Sequence, residues 1–256
     1  MRLPVPGAAL ALTVLGVAGC GGGDPAPTTR SDTATAAPKT TAPEAPAPKA
    51  PAGRTVAFRA SDGVRLQGTL VPAPRRRAPA VVLVHEYHGG PDQWSGFVGF
   101  LHRAGYATLA YGSRSSDSLD ETVLVRDLAG AVAALRRRPE VDPQRIAVVG
   151  ASIGASTAAW AIGTRPALRL RAAVGLSPAE SPSFISAGTA GRFRPHDLLL
   201  IADGAELSNA QSIAQDAGHG TTVRRAAVTG HGVALLPDAR VRAAVLEWLR
   251  PRLRVR

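Results

Sequence analysis

The chain has 256 residues, 45% hydrophobic and 19% charged, with a formal net charge of +11. That length holds one large domain or two small ones around a buried core, and it excludes three or more domains and wholesale disorder. Arginine supplies 28 of the 30 basic residues, a skew of coding composition; Arg75–Arg77, Arg136–Arg138 and the Arg250–Arg256 tail stand apart in sequence rather than along one aromatic-rich element, so no nucleic-acid partner is expected.

Cys20 is the single cysteine, which excludes an internal disulfide or a cysteine zinc site. Ahead of it, Arg2 is followed by an apolar run through Ala8 to Leu15, too short to span a bilayer comfortably and laid out like a secretory signal. Val17-Ala18-Gly19-Cys20 resembles the lipobox of bacterial lipoproteins. The resemblance implies that residues 1–19 are a removed signal peptide, that Cys20 carries lipid, and that the protein is membrane-anchored on the extracytoplasmic side. Residues 21–53 contain nine Ala, seven Pro and six Thr without apolar periodicity. They predict a disordered tether, with a reach of roughly 100 Å when extended.

Regular patterning begins at residue 54. Arg54–Ala60 and Val64–Val71 read as a β-hairpin around Ser61-Asp62-Gly63. Val81–Val84 is apolar without alternation, as in a parallel sheet. Trp94, Phe97 and Leu101 recur at helical spacing up to Gly105, and Ala107–Tyr111 predicts another buried strand. Leu124, Leu128, Val132 and Leu135 mark one face of a helix; strand Ile146–Val149 follows, then a helix of small residues from Ile153 to Ile162. Strands Ala172–Leu176, Leu198–Ala202 and Thr222–Val228, with helices near 208–217 and Val241–Leu249, complete the order. This alternation predicts an α/β fold over residues 54–256: a mostly parallel sheet with helices on both faces after an N-terminal hairpin.

Gly150-Ala151-Ser152-Ile153-Gly154 falls between a buried strand and a helix. That context suits a nucleophile elbow, whose glycines let the backbone turn sharply enough to expose the serine hydroxyl. A serine needs a base and a carboxylate to orient it, in the chain order Ser, acid, His. His231 is the candidate base, because alone among the six histidines it directly follows the last strand. The candidate acids Glu206 and Asp203 lie just beyond Leu198–Ala202; Glu206 is preferred because it sits further past the strand, where a loop can fold back over the sheet, and Glu180 is a third option.

Taken together, the Val81–His85 strand and Gly-rich turn, the Ser152 elbow, the Glu206 loop and His231-Gly232 resemble the α/β-hydrolase superfamily. Glu86 in Val84-His85-Glu86-Tyr87-His88-Gly89-Gly90, and Val141-Asp142-Pro143-Gln144-Arg145-Ile146, are similar to the dienelactone hydrolase group, whose usual nucleophile is cysteine where this chain has serine. The resemblance implies a serine carboxylesterase with an oxyanion hole formed by the backbone N–H groups of Tyr87 and Ile153; Glu86 is either a site residue or a carboxylate bonded to nearby backbone. About twenty residues separate Leu176 from Leu198, including the Gly-rich stretch Ala187–Gly191. This is too few for a large lid, so small or surface-presented acyl esters are the expected substrates. No phosphate loop, metal pair or dinucleotide fingerprint is present, and no cofactor or metal is implied. The same triad would serve a peptidase or acyltransferase, and a binding lipoprotein on a hydrolase scaffold is the non-enzymatic alternative.

Overall fold

The computed structural model describes residues 52–114, 119–179 and 192–255. Strand β1 (Arg54–Arg59) turns at Ser61-Asp62-Gly63 into the antiparallel β2 (Arg65–Val71). Gly63 permits the turn by adopting φ 90°, and its N–H donates to Ala60 O at 2.9 Å. Strand β2 lies antiparallel to β4 (Ala107–Tyr111). From there β3 (Ala78–Val84), β5 (Val141–Ala151), β6 (Ala172–Leu176), β7 (Leu198–Ala202) and β8 (Thr221–Arg225) continue in parallel, giving one eight-stranded sheet in the order β1-β2-β4-β3-β5-β6-β7-β8. Every residue of β3, β4, β6 and β7 is buried, which explains their unbroken apolar runs.

Helices cover both faces, and successive strand residues divide between them. On one side, Ala80, Val82 and Val84 pack with α2 (Glu121–Arg136), α3 (Ile153–Thr164) and α4 (Leu207–Ala217) through Leu128, Ala158 and Ile213. On the other, Val81 and Leu83 pack with α1 (Ser95–Arg103) and α5 (Ala239–Leu253) through Leu101, Val245 and Leu249. Asp120 and Asp238 cap α2 and α5, accepting the N–H of Thr122 at 2.8 Å and of Arg240 at 2.6 Å.

Several expected boundaries change: β3 begins at Ala78 rather than Val81, and β5 runs over Val141–Ala151 rather than Ile146–Val149. The last strand stops at Arg225 rather than Val228, because its partner β7 ends at Ala202, whose carbonyl accepts a final bond from Ala226 N–H. The last helix runs on to Leu253, taking Arg250 and Arg252 out of the expected tail; Pro251 is tolerated there because it removes a single donor in the final turn. Cys20, the signal and tether, Glu180 and the Ala187–Gly191 stretch lie outside the described residues. Among the described residues no helix is long and apolar enough to cross a membrane.

After β4, the loop is tied to α2 by a buried carboxylate. Asp127 is fully buried, and its two oxygens accept the Arg114 N–H at 2.8 Å and the Arg114 guanidinium at 2.5 and 2.9 Å, while that guanidinium also donates to Asp62 in the hairpin turn at 2.8 Å. Removing one partner of a buried pair typically destabilises by about 3–5 kcal/mol, and the low end applies here because Arg114 keeps Asp62. Asp127→Ala should therefore lower the urea-unfolding free energy by about 3 kcal/mol; a loss below the scatter of replicate titrations would show that water replaces the carboxylate.

Candidate active site

The candidate residues all leave the sheet at the carboxyl ends of its parallel strands, where open α/β sheets hold ligands. Ser152 is the single residue between β5 and α3, with φ 53° and ψ −120°. A non-glycine residue in such a conformation carries of order 1–3 kcal/mol of strain, which the surroundings must hold. Here the Ser152 N–H donates to Leu176 O at 2.9 Å, and the Ser152 carbonyl accepts from Ala155 at 2.9 Å and Ser156 at 3.2 Å. The flanking glycines are required by close approach: a Cβ at Gly150 would overlap the Gly154 carbonyl, and a Cβ at Gly154 would overlap the Val84 carbonyl.

His231 follows β8 and sits at the entrance of a short 3₁₀ turn, Gly232–Leu235. Its Nδ1 lies 2.5 Å from Glu206 Oε1. A carboxylate oxygen accepts, so Nδ1 carries the hydrogen and Nε2 is left as the proton acceptor. The side chains are 48% and 27% exposed, so the pair is open to solvent. Glu206 Oε2 is buried without a hydrogen-bond partner among the described residues, leaving the histidine as the carboxylate's partner. Asp203, the other acid considered, does not meet the ring. Its Oδ1 accepts from Ala205 at 2.9 Å and Glu206 at 3.2 Å, and its Oδ2 from Gly230 at 3.1 Å. The Gly230 N–H foremost, then those of Glu206 and Ala205 and the charge of His231, hold the Asp203 carboxyl below the usual carboxylate range. Asp203 therefore braces the backbone on which both Glu206 and His231 stand.

Glu86 bonds to backbone, but to a distant one: its Oε1 accepts the Val233 N–H at 2.7 Å, joining the loop after β3 to the histidine loop. Gly232, at φ 53°, fits beneath it; a Cβ there would overlap Glu86 Oε1 and come within 3.2 Å of Ala151 Cβ, so the residues beside His231 and beside Ser152 are in close approach. Tyr87 is 43% exposed, with its ring 3.8 Å from that of His88. Ile153 opens α3, so its N–H has no acceptor within the helix. These two N–H groups belong to loops leaving neighbouring strands, β3 and β5.

One arrangement escaped the sequence reading. His85 is fully buried; its Nδ1–H donates to Glu86 O at 2.7 Å, and its Nε2 accepts from Ser113 N–H at 2.9 Å. Burial pushes this imidazole below the ordinary histidine range, and the N–H aimed at Nε2 leaves no place for a second proton. Nothing in Tyr111-Gly112-Ser113 marks such a partner, because the contact crosses between strands far apart in sequence. Among the described residues no group of three or more His, Cys, Asp and Glu side chains is placed to hold a metal ion.

No family model matches the chain. It is 33% identical over 136 residues to the thiohydrolase apmlB of Arthrinium phaeospermum, a match covering 50% of this chain and 43% of that protein. It is 30% identical over 139 residues to the polyketide transferase ATR5 of Stachybotrys chlorohalonatus, covering 51% and 45% respectively. The chain thus spans a little under half the length of these relatives. Among solved structures, it is similar to Thermogutta terrifontis esterase 2 phosphonylated by sarin (TM-score 0.66, 17% identity, 80% of this chain and 96% of that one). It is likewise similar to the dienelactone hydrolase of Anabaena variabilis (TM-score 0.60, 19% identity, 77% and 95%). The chain has the α/β-hydrolase fold. In this fold, Ser152, Glu206 and His231 follow β5, β7 and β8, and the Gly-rich turn follows β3.

Neutral His85 sets a pH dependence. Its folded pKa is depressed, so its contribution to stability is complete above the unfolded histidine value of about 6.5 and is lost as pH falls below it. His85→Asn should lose less stability than the wild type between about pH 7 and about pH 5, as read by urea unfolding; parallel losses would show that His85 takes its proton without penalty.

Proposed function

We propose that residues 54–256 are a serine hydrolase that cleaves small or surface-presented carboxylic esters through an acyl-enzyme. The observation that carries this reading is the 2.5 Å contact of Glu206 with His231 Nδ1, in a fold whose elbow holds Ser152 at φ 53°. Ser152 Oγ attacks the ester carbonyl while His231 Nε2 takes its proton, forming a tetrahedral oxyanion that the Tyr87 and Ile153 N–H groups stabilise. His231 then protonates the leaving alkoxide, which departs as the alcohol and leaves the acyl group on Ser152. A water molecule, deprotonated by the same nitrogen, releases the acid and restores the serine. Glu206 holds the ring's tautomer and stabilises the imidazolium that forms at each stage.

Ser152→Ala should lower turnover of p-nitrophenyl butyrate by about 10⁴-fold or more, and Glu206→Gln should lower kcat with KM little changed. A fluorophosphonate probe should label Ser152 in the wild type. Retained activity in Ser152→Ala would end the proposal, and absence of labelling would favour a binding protein on this scaffold.

A second reading differs in the acceptor. The names thiohydrolase and polyketide transferase among the relatives, together with the exposed His231, support an acyl-enzyme that also accepts thioesters or passes its acyl group to a nucleophile other than water. Partitioning of the acyl group between water and added alcohols would separate hydrolysis from transfer.

We propose further that the chain is a lipoprotein, with residues 1–19 removed, Cys20 lipidated and residues 21–53 serving as tether on the extracytoplasmic side of a membrane. A single acyl chain gives marginal affinity and several give firm anchoring. Cys20→Ser should move the protein out of the membrane fraction or leave an uncleaved precursor; unchanged partitioning would remove this part of the proposal.

A further inference from the structure

Arginine runs that stand apart in sequence meet at the amino ends of the strands, opposite the candidate active site. A groove of about 1100 Å³ opens there, lined by Arg136, Arg145, Arg169, Arg171, Arg252 and Arg254. A second groove shares Arg145 and Arg254 and adds Arg75, Arg76, Arg77 and Arg103. Among the described residues Asp142 is the one carboxylate lining either groove, and Arg145 already holds it at 2.8 Å; Asp197, next to the groove residue His196, is held by Arg252 at 2.8 Å. Arg75, Arg76, Arg169 and Arg171 are exposed and have no carboxylate partner among the described residues. Burial, and after it the charge of Arg169, hold Arg136 below the ordinary guanidinium range, as expected where cations gather without counter-charge.

Two further observations set this edge apart. Arg77, Arg169 and Arg254 have φ of 51°, 43° and 49°, left-handed positions where the fold alone would favour glycine. The described chain also enters the domain here. Arg54 pairs with Leu70 in β2, whose next residue, Val71, pairs with Thr108 at the second position of β4, and the Arg54 guanidinium meets Glu140 just before β5. Whatever precedes β1 therefore reaches the domain at the arginine edge.

We infer that the amino-end edge of the sheet, formed by the loops before β3, β4, β5 and β6 and the end of α5, docks on an anionic phospholipid surface. The choice of occupant rests on the tethered reading above: the tether joins the domain on the side where the arginines gather. Among the described residues neither groove is lined by Phe, Tyr or Trp, and Trp248 nearby is covered by Arg252 at 3.3 Å, so these residues offer no stacking platform of the kind used for single-stranded nucleic acid. Arginine guanidinium groups bind headgroup phosphates bidentately. Docked in this way, the domain presents Ser152 and His231 away from the bilayer; the ten residues from Asp142 to Ala151 of β5 separate the two ends by roughly 30 Å. Access to the site is then from solvent, which suits soluble esters better than acyl chains within the same bilayer.

The test uses the full chain on phosphatidylcholine vesicles with and without phosphatidylglycerol, with arginines labelled by phenylglyoxal and read by mass spectrometry. On phosphatidylglycerol vesicles, Arg75, Arg76, Arg169 and Arg171 should be protected several-fold while Arg240, near the start of α5, labels as in solution; on phosphatidylcholine alone no protection is expected. Labelling is read per residue, so the result is independent of what holds the chain on the vesicle. The variant R75Q/R76Q/R169Q/R171Q should lose roughly 10³-fold in its preference for phosphatidylglycerol vesicles. Its p-nitrophenyl butyrate turnover in solution should be unchanged, so failure of docking and failure of the esterase reading are separately visible. Uniform labelling on both vesicles would overturn the inference. Protection of the same arginines by duplex DNA, without protection by phosphatidylglycerol, would replace the bilayer with a nucleic acid.

Discussion

At the junction of β5 and α3 the chain doubles back so closely that carbonyl oxygens occupy the space of two missing side chains: Gly154 O where a Cβ of Gly150 would lie, and Val84 O where a Cβ of Gly154 would lie. This approach brings the first turn of α3 against the end of β3, and it leaves the connecting residue no room for an ordinary conformation. Ser152 takes up the strain at φ 53°, and three backbone hydrogen bonds through its N–H and carbonyl hold it there. The consequences spread from that point. The Ile153 N–H is left at the head of a helix, the loop after β3 is drawn alongside, and the histidine loop must follow close behind, which requires glycine at 232 against Ala151 and Glu86. A single steric constraint in the central strand thus arranges three loops.

What fixes those loops is largely carboxylates accepting backbone N–H groups. Asp203 spans the Glu206 and His231 segments, and Glu86 spans the loops after β3 and β8. Glu206, by contrast, meets a side chain. The three acids in this region differ in what surrounds them: Asp203, satisfied by three backbone N–H groups, is held ionised and rigid, Glu86 ties one distant N–H, and Glu206 faces an imidazole. Neutral His85 belongs to the rigid class, since both of its ring nitrogens are used in fixing backbone.

The elements that sequence shows well are those whose cause is local. The buried parallel strands read as unbroken apolar runs, Leu124 to Leu135 shows its helical spacing, and the elbow shows its glycines, because strand, helix and turn each impose their own residue pattern. The choice between Glu206 and Asp203 is legible only as distance past a strand; which of them meets the ring depends on how the loop folds over the sheet. Contacts between loops and helices remote in sequence leave no pattern. His85 with Ser113, Asp127 with Arg114, and Glu86 with Val233 join segments 13 to 147 residues apart, and neither partner's neighbours signal the other. The same holds for the arginines: three runs separate in sequence become one edge because parallel strands bring all their amino ends to the same side.

That polarity is the deeper reason the two ends of this domain differ. A parallel sheet with right-handed crossovers sends each strand out in one direction, so loops at one end can be altered without disturbing those at the other. At the carboxyl ends, strain is held at Ser152 by surrounding backbone. At the amino ends, Arg77, Arg169 and Arg254 sit in left-handed positions, each of which is unfavourable for an L-residue by roughly 1–2 kcal/mol relative to a right-handed one. Glycine would relieve that strain but would remove the charge that each arginine holds at the exposed edge. The fold tolerates both departures because its buried, continuously hydrogen-bonded strands lie between them. Chemistry and surface recognition can then be tuned at opposite ends of one sheet.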